Sequence, residues 1–179
     1  IDNLCLSGGC AMNSVANGKI YRKTPFKRVY IQSAAGDAGG AIGAAFIAWH
    51  KLNPSAKRDF QMDHAYWGPQ FNNTEIKEVL KNRNEDLKQQ ECSVSKIDDE
   101  SALCKQTAKA IAEGKVIGWF QGRLEWGPRA LGNRSILCDP RRSDMKEILN
   151  LKIKRRESFR PFAPSILKEH ADAYFEITS

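Results

Sequence analysis

The sequence predicts an α/β fold from three places where a short apolar run accompanies a helical pattern. Residues 3–7 form an apolar run that leads into two glycines and then into helix-forming residues. Residues 28–32 form a second run, followed after a turn at 34–39 by a helical pattern of small residues over 41–50. A third run, 116–120, follows another helical pattern. Runs of this length that alternate with helices are typical of buried strands in α/β domains.

The first part of the chain is predicted to form the end of one domain, over residues 1–55. Residues Ala11 to Ala16 open a helix after the first strand, and Asn53-Pro54 end the helix that follows the second strand. Residues 56–73 show no clear period. We therefore predict that this segment is a linker.

The remaining residues, 74–179, are predicted to form a second α/β domain that is truncated at its C-terminus. Its first helix begins at Thr74, the expected N-cap, and the polar segment 83–92 is either an exposed loop or a helix end. A helix over 101–113 is capped by Ser101 and ended by a glycine. The other predicted elements are a strand at 135–138, a helix that is capped by Ser143 and runs to about Ile153, and a helix at about 169–175.

The composition is that of an ordinary soluble protein, with 41% apolar and 27% charged residues. No apolar run approaches the roughly 18 residues that a membrane helix needs, so we expect no membrane segment. Five cysteines without a CxxC pair favour reduced thiols and a cytoplasmic location. The chain begins with Ile and shows no signal peptide, so we expect an excised fragment.

The net charge of +7 favours a polyanionic partner, and much of the excess lies between Arg123 and Arg160. A nucleic-acid-binding module needs charge spread along a face, whereas a small-molecule site concentrates a few arginines in a pocket. The arginines here stand among Gly and Pro residues, which favours the pocket. An α/β module that binds nucleic acid through 123–160 is the alternative, and a fragment that binds no ligand is a third interpretation.

Residues 6–13 (LSGGCAMN) place two glycines and an asparagine between a strand and a helix. Gly8 and Gly9 would let backbone N–H groups approach a phosphate or nucleoside without an intervening Cβ, and Asn13 could hydrogen-bond to it. A tight turn without any ligand explains the same residues equally well.

Residues 35–41 (AGDAGGA) place Asp37 among residues with little or no side chain, at the entrance to a helix. Asp37 could be an N-cap, which is the commoner role for an aspartate in that position. It could equally be a metal ligand beside phosphates, because the glycines leave room for an ion and a nucleotide. The spacing does not decide between the two roles.

Residues 122–135 (GRLEWGPRALGNRS), which we call the signature loop, carry three arginines on a glycine-rich backbone. Guanidinium groups at this density favour an oxyanion site, because their donors match phosphate or carboxylate oxygens. Glu125 is predicted to hold one of these arginines in place by a charge-assisted hydrogen bond rather than to act as a base.

Residues 154–164 (KRRESFRPFAP), which we call the basic loop, begin as a basic helix end that would complement the helix dipole. They continue as an aromatic and proline-containing stretch that cannot be helical. The helix dipole does not account for Arg160, between Phe159 and Pro161. We predict that Arg160 is half buried and has an anionic partner, either Glu157 or a ligand.

These four blocks, in this order, resemble the O-carbamoyltransferases that modify nodulation factors and aminoglycoside or cephalosporin-type antibiotics. The resemblance covers most of the chain. Residues 127–135 and 156–164 resemble the family's own signature, whereas the first two blocks also resemble a wider group of nucleotide-binding domains.

The resemblance implies an ATP-dependent reaction shared between two domains. In that family an N-terminal domain of the actin/sugar-kinase type, similar to the tRNA threonylcarbamoyl-transferring enzymes, binds divalent iron and a nucleotide. A second domain, similar to the threonylcarbamoyl-adenylate synthases, makes carbamoyl adenylate from ATP and carbamoyl phosphate. The first domain then passes the carbamoyl group to a hydroxyl of a small-molecule or oligosaccharide acceptor.

The same resemblance implies roles for individual residues. Carbamoyl phosphate or the ATP phosphates would be bound by Arg129, Lys154 and Arg160, whose side chains are expected to converge. Asp37 would be the one metal ligand present. The contacts to the nucleotide would come from Gly8, Gly9, Asn13, Arg123 and Arg134.

The chain departs from the family pattern in two respects. The two histidine ligands of the metal are absent, and His50, His64 and His170 are predicted to be surface or packing residues instead. The chain also stops before the later part of the second domain. We therefore expect the fragment to be inactive alone.

Overall fold

The computed structural model describes residues 1–176, which form a mixed α/β structure with two small sheets. The predicted α/β class is therefore confirmed. The chain divides into two compact units. The first unit comprises Ile1–Asn84 and Phe120–Ser135, and the second comprises Glu85–Trp119 and the residues from Ile136 onwards.

The first unit is built on two parallel strands, β1 (Asn3–Leu6) and β2 (Arg28–Ile31). Their register pairs Asn3 with Arg28 and Leu6 with Ile31. Parallel strands need a crossover connection, and here it consists of a 3-10 turn and two one-turn helices. These are Gly9–Met12, α1 (Ser14–Asn17) and α2 (Ile20–Lys23).

Helix α3 (Asp37–Leu52) follows β2 and is longer than predicted. The turn expected over 34–39 is shorter, because the helix already begins at Asp37. Helix α4 (Asn73–Asn82) begins one residue before the predicted start, and its N-cap is Asn72 rather than Thr74. The Asn72 side chain accepts hydrogen bonds from two backbone N–H groups, and Glu75 returns one to the Asn72 N–H, which forms a capping box.

The polar segment 83–92, for which loop and helix end were both open, contains helix α5 (Asn84–Gln89). Helix α6 (Glu100–Ala112) matches the predicted helix within one residue, but its N-cap is Asp99 rather than Ser101. Gly114 follows the helix with a φ of +85°, as expected for a glycine that ends a helix. Strands β3 (Ile117–Phe120) and β4 (Arg134–Leu137) form the second sheet.

The helix predicted from Ser143 begins as α7 (Met145–Glu147) and continues as a π-helical segment, Ile148–Ile153. Its N-cap is Asp144 instead of Ser143, and no side chain caps it. The last elements are a 3-10 turn, Lys168–His170, and helix α8 (Ala171–Tyr174), close to the predicted helix.

Each unit has a small core. Ala34, Ala35 and Ala65 are buried in the first unit, and Met145 and Leu149 in the second. Among residues 1–176 the buried polar side chains are those of Glu125, Asp139 and Asn150, and Glu125 and Asn150 organise two loops of the candidate site. Within residues 1–176 no helix combines the length and the apolar composition needed to cross a membrane.

Candidate functional site: a glycine-walled cleft and a buried-amide loop

A cleft of about 600 Å³ in the first unit opens beside the carboxyl ends of β1 and β2 and the start of α3. Ligands of parallel α/β sheets bind in this position, outside the carboxyl ends of the strands. Gly8 and Asp37, two residues assigned to the nucleotide and the metal, both line the cleft. Gly36, Gly40 and Gly43 line it as well, so much of its wall is bare backbone.

The loops at the cleft are held together by close backbone contacts. Gly8 has a φ of +89°, which favours glycine, and its N–H donates to the Ala35 carbonyl at 2.6 Å. A Cβ at Gly39 would overlap the Ala34 carbonyl, whereas a Cβ at Gly8 or Gly36 would meet no atom within 4 Å. The cleft wall therefore has open space next to Gly8 and Gly36, whereas Gly39 packs directly against the Ala34 backbone.

Asp37 is the first residue of α3, and the N-cap is Gly36. The N-cap role considered for Asp37 is therefore wrong. No hydrogen bond from any of residues 1–176 reaches its carboxylate, which is exposed. A free carboxylate at the positive end of a helix dipole can accept a metal ion beside phosphate oxygens. The residues present thus fit one ligand of a hard cation, although no group of three ligand side chains occurs within 1–176.

Gly9 and Asn13 do not line the cleft. The Asn13 Oδ1 atom accepts a hydrogen bond from Ala16 N at 3.1 Å and so caps α1. The structure therefore brings Gly8 and Asp37 together and shows a local capping role for Asn13.

The signature loop folds around the Glu125 carboxylate, whose side chain is 0% exposed. Its Oε1 atom accepts from Leu131 N at 2.7 Å and from Asn133 N at 2.8 Å, and its Oε2 atom accepts from Arg134 Nε at 3.0 Å. Burial opposes ionisation, but these hydrogen bonds outweigh it and hold the pKa of Glu125 at about 2. The predicted role of Glu125 in holding an arginine is confirmed.

Two arginines assigned to the nucleotide make hydrogen bonds to backbone carbonyls of the first unit. Arg134 donates through Nη2 to Gly127 O at 3.2 Å and to Arg129 O at 3.3 Å. Arg123 donates through Nη1 to Gly68 O at 3.1 Å. Both side chains thus stabilise the loop itself.

The signature loop also contacts both glycine-rich blocks of the first unit. Arg129 Nη2 donates to Met12 O at 2.7 Å, and Trp126 Nε1 donates to Ala38 O at 3.0 Å. Gly127 has a φ of +111°, and a Cβ there would lie 2.8 Å from the Ala34 Cβ. Trp126 and Gly127 were not singled out from the sequence. The dense Trp-Gly-Pro run was the available signal, because such residues are seldom needed in a solvated loop.

The basic loop belongs to the second unit and is organised by Asn150, which is 0% exposed. Asn150 Nδ2 donates to Ser158 O at 3.2 Å and to Arg160 O at 3.1 Å, and Oδ1 accepts from Arg156 Nε at 2.8 Å. The Arg156 guanidinium lies 4.9 Å from the centre of the Phe162 ring. A polar residue inside the apolar run Ile148–Ile153 was the signal for Asn150 in the sequence.

Arg160 pairs with Glu157 through Nε at 2.9 Å, and 49% of its side chain is exposed. Of the two partners predicted for Arg160, Glu157 is the one that the structure shows, whereas the residue is more exposed than predicted. Lys154 is exposed and ends the π-helical segment as its C-cap. Since Arg129 belongs to the first unit and Lys154 and Arg160 to the second, the expected convergence of the three stays a prediction.

The histidines lie where packing or surface residues are expected. His64 stacks on Tyr66 and Trp67, with ring centroids 5.8 Å and 5.4 Å apart. His50 makes an edge contact with Trp49, and His170 is exposed.

Comparison with known proteins identifies the family. The family model described as "Carbamoyltransferase N-terminus" matches residues 1–46, and the family model described as "Carbamoyltransferase C-terminus" matches residues 108–179. Together the two matches cover more than half of the chain.

Curated relatives match the chain over nearly its whole length. An uncharacterized Synechocystis protein is 49% identical over 99% of the chain and 28% of its own length. The nodulation protein NolNO of Sinorhizobium fredii is 43% identical over 99% of the chain and 25% of its own length. The nodulation protein NolO of Bradyrhizobium diazoefficiens is 43% identical over 97% of the chain and 30% of its own length. The chain thus spans between a quarter and a third of these relatives, and it belongs to the carbamoyltransferase family.

Proposed function

We propose that the protein containing this chain transfers a carbamoyl group from carbamoyl phosphate, through carbamoyl adenylate and at the expense of ATP, to a hydroxyl of a small molecule or an oligosaccharide. The carbamoyltransferase models that match both ends of the chain support the transfer reaction. The single observation in the structure that carries the proposal is Asp37, an unbonded carboxylate in a glycine-walled cleft beside a helix N-terminus.

The first unit is proposed to carry the actin/sugar-kinase-like function of binding nucleotide and divalent iron. The backbone at Gly8 and Gly36 leaves room for phosphate groups, since a Cβ at either residue would meet open space. Asp37 would supply one ligand to the metal, with the remaining ligands from outside this chain. When bound, the iron would polarise the carbamoyl carbonyl.

The second unit is proposed to resemble the threonylcarbamoyl-adenylate synthases and to handle carbamoyl phosphate. The backbone carbonyl of Arg160 is held by the buried Asn150 amide, and the N–H of Lys154 donates to the Leu149 carbonyl, so both charges are available with little reorganisation. The Arg160 guanidinium pairs with Glu157 through Nε at 2.9 Å, and its planar fork of donors suits an oxyanion that would compete with or join this carboxylate. Arg129, which belongs to the first unit, is proposed separately to bind phosphate oxygens.

The proposed reaction has three steps. Water first hydrolyses carbamoyl phosphate to carbamate and inorganic phosphate. An oxygen of the carbamate then attacks the α-phosphorus of ATP, and the bond to the β-phosphate breaks with loss of pyrophosphate. The acceptor hydroxyl then attacks the carbamoyl carbon, loses its proton, and AMP leaves. Positioning and charge neutralisation supply most of the acceleration in such reactions.

Calorimetric titration of the full-length protein with ATP and with carbamoyl phosphate tests the proposal, together with pyrophosphate release when both are present. Arg129→Ala should weaken binding, whereas the matched control Arg58→Ala removes an exposed charge from the same unit and should not. Absence of heat from both ligands would refute the proposal. A steep salt dependence of binding to an oligonucleotide would favour the nucleic-acid alternative instead.

A further inference from the structure

We propose that Asn150 is a positioning residue for carbamoyl phosphate, because it fixes the backbone of Arg160 from inside the second unit. The inference rests on the proposed function. It concerns a residue that touches no ligand itself but determines where the charged side chains of the basic loop are held.

The contacts of Asn150 are concentrated on one segment. Its side-chain Nδ2 donates to the backbone carbonyls of Ser158 and Arg160, at 3.2 Å and 3.1 Å, and its side-chain Oδ1 accepts from Arg156 Nε at 2.8 Å. The backbone carbonyl of Asn150 also accepts from Arg156 N at 2.9 Å. All four hydrogen bonds reach residues 156–160, so this one residue fixes the course of the basic loop.

The burial of Asn150 argues against a role in filling space. It is 0% exposed, and a buried amide is costly unless its donors and acceptor are satisfied. An apolar side chain would fill the same volume without that cost. The presence of an amide at this position is therefore explained by its hydrogen bonds to the basic loop.

The backbone on both sides of Asn150 departs from regular α-helix, and this brings the basic loop within reach of the Asn150 side chain. Asn150 lies in the π-helical segment Ile148–Ile153, and short π-helical segments are frequent at functional sites. Just beyond it, Arg155 adopts a φ of +49°, which is unfavourable for a residue with a side chain. This conformation turns the chain so that Arg156 can reach Asn150, and the surrounding hydrogen bonds maintain it.

The consequence is specific to Arg160. Its carbonyl is fixed by the buried amide, while its exposed guanidinium contacts Glu157 through Nε. The residue whose main chain Asn150 holds is thus the one whose side chain is proposed to bind carbamoyl phosphate. Loss of the two amide donors should let the Arg160 backbone move and should weaken the oxyanion site.

Steady-state kinetics of the full-length protein, measured as pyrophosphate release, test this inference. Asn150→Asp keeps the shape and the acceptor for Arg156 but replaces the two donors, and it should raise the KM for carbamoyl phosphate about tenfold. The affinity of the first unit for nucleotide should stay unchanged. Arg156→Lys, a milder variant that loses the Nε donor, should raise the same KM about threefold and serves if Asn150→Asp does not fold.

Met145→Ala is the matched control, because Met145 is also buried in the second unit, at 2% exposed, and among residues 1–176 its side chain makes no hydrogen bond to the basic loop. A purely structural loss lowers the amount of folded enzyme, and so reduces Vmax while leaving KM unchanged. The inference is overturned if Asn150→Asp and Arg156→Lys behave in that way.

A binding measurement separates failure of the inference from failure of the proposed function. Without pyrophosphate release by the wild type, the proposed function fails, and calorimetry with carbamoyl phosphate and inorganic phosphate then decides the role of Asn150. Binding that Asn150→Asp weakens supports an oxyanion loop held by Asn150. Absence of binding to the wild type, or equal binding by both proteins, refutes it.

Discussion

The Arg134 guanidinium donates to the fully buried Glu125 carboxylate across 3.0 Å, and the same carboxylate accepts two backbone N–H groups of the signature loop. One side chain thus fixes Leu131, Asn133 and Arg134. A carboxylate that is buried in this way depends on its three donors, because its oxygens have lost contact with water and need a hydrogen bond in its place.

Glu125→Ala should therefore destabilise the protein strongly. Because the Arg134 side chain is 35% exposed, the loss is determined mainly by the hydrogen-bond donors that lose their acceptor, at about 1–3 kcal/mol for each donor that stays out of water. Glu125→Gln keeps an acceptor for the backbone N–H groups and should cost about 2 kcal/mol. The measurement is urea unfolding at neutral pH, with Glu113→Gln as the control because Glu113 is an exposed carboxylate paired only with surface lysines. Equal losses for the two glutamine variants would contradict the role of Glu125.

The stability should also fall in acid, through a defined window. Hydrogen bonds lower the pKa of Glu125 in the folded state from 4.5 to about 2. A lowered folded-state pKa means that the unfolded state takes up protons first, so the stabilisation is fully present above about pH 5 and is lost as the pH falls towards 2. Unfolding measured between pH 6 and about 3 should show a smaller loss for Glu125→Gln than for the wild type.

A second carboxylate titrates in the same window. The side chain of Arg141 holds the pKa of Asp139 at about 2. Asp139 therefore contributes the same acid-dependent loss of stability to the wild type and to Glu125→Gln. The difference between the two pH curves therefore isolates Glu125. Parallel curves would show that Glu125 is not bonded as described.

Gly127 provides a test of the packing between the signature loop and the turn that precedes α3. Gly127→Ala forces a side chain into a φ of +111° and brings its Cβ within 2.8 Å of the Ala34 Cβ. Strain and overlap of this kind cost about 1–3 kcal/mol each. The control is Gly118→Ala in β3, where a Cβ would meet no atom within 4 Å, and it should be neutral or slightly stabilising. Thermal unfolding of both variants measures the difference.

The elements that could be predicted are those that depend on local patterns. Both strands of the first sheet were expected within a residue, because a short apolar run between turn residues has few alternatives. The N-caps were wrong at Thr74 and Ser101, because Asn72 and Asp99 are also capping residues two positions away. Residue preference does not choose between neighbours of similar type.

The parts of the site that could not be predicted depend on contacts between distant residues. Trp126 donates to a carbonyl 88 residues earlier in the chain, and Arg129 to one 117 residues earlier. No spacing within the signature loop contains that information. Asn150 was missed for a related reason, since its partners lie beyond a left-handed residue, Arg155, that local preference disfavours.

Trp126 should influence the cleft through its hydrogen bond to Ala38, the residue after Asp37. Trp126→Phe keeps an aromatic ring but removes the donor, which should cost about 1 kcal/mol and loosen the first turn of α3. We expect weaker ATP binding by calorimetry. The matched control is Trp49→Phe, because Trp49 is an exposed tryptophan of α3, the helix that contains Ala38, and its ring contacts His50. Unchanged ATP affinity in Trp126→Phe would show that the hydrogen bond does not shape the cleft.

Asp37→Asn separates the proposed chemistry from the fold. The carboxylate makes no hydrogen bond with any of residues 1–176, so the substitution should cost only the favourable interaction with the helix dipole, about 0.3–1 kcal/mol. The effect on carbamoyl transfer by the full-length protein should be at least about a hundredfold, because a charge that acts at the reacting centre would be lost. Pyrophosphate release with ATP and carbamoyl phosphate should persist, since that step is assigned to the second unit. A transfer rate that stays near the wild-type value would remove Asp37 from the proposed mechanism. The protein would still be folded and would still release pyrophosphate, so neither effect could hide a contribution of Asp37 to the transfer step.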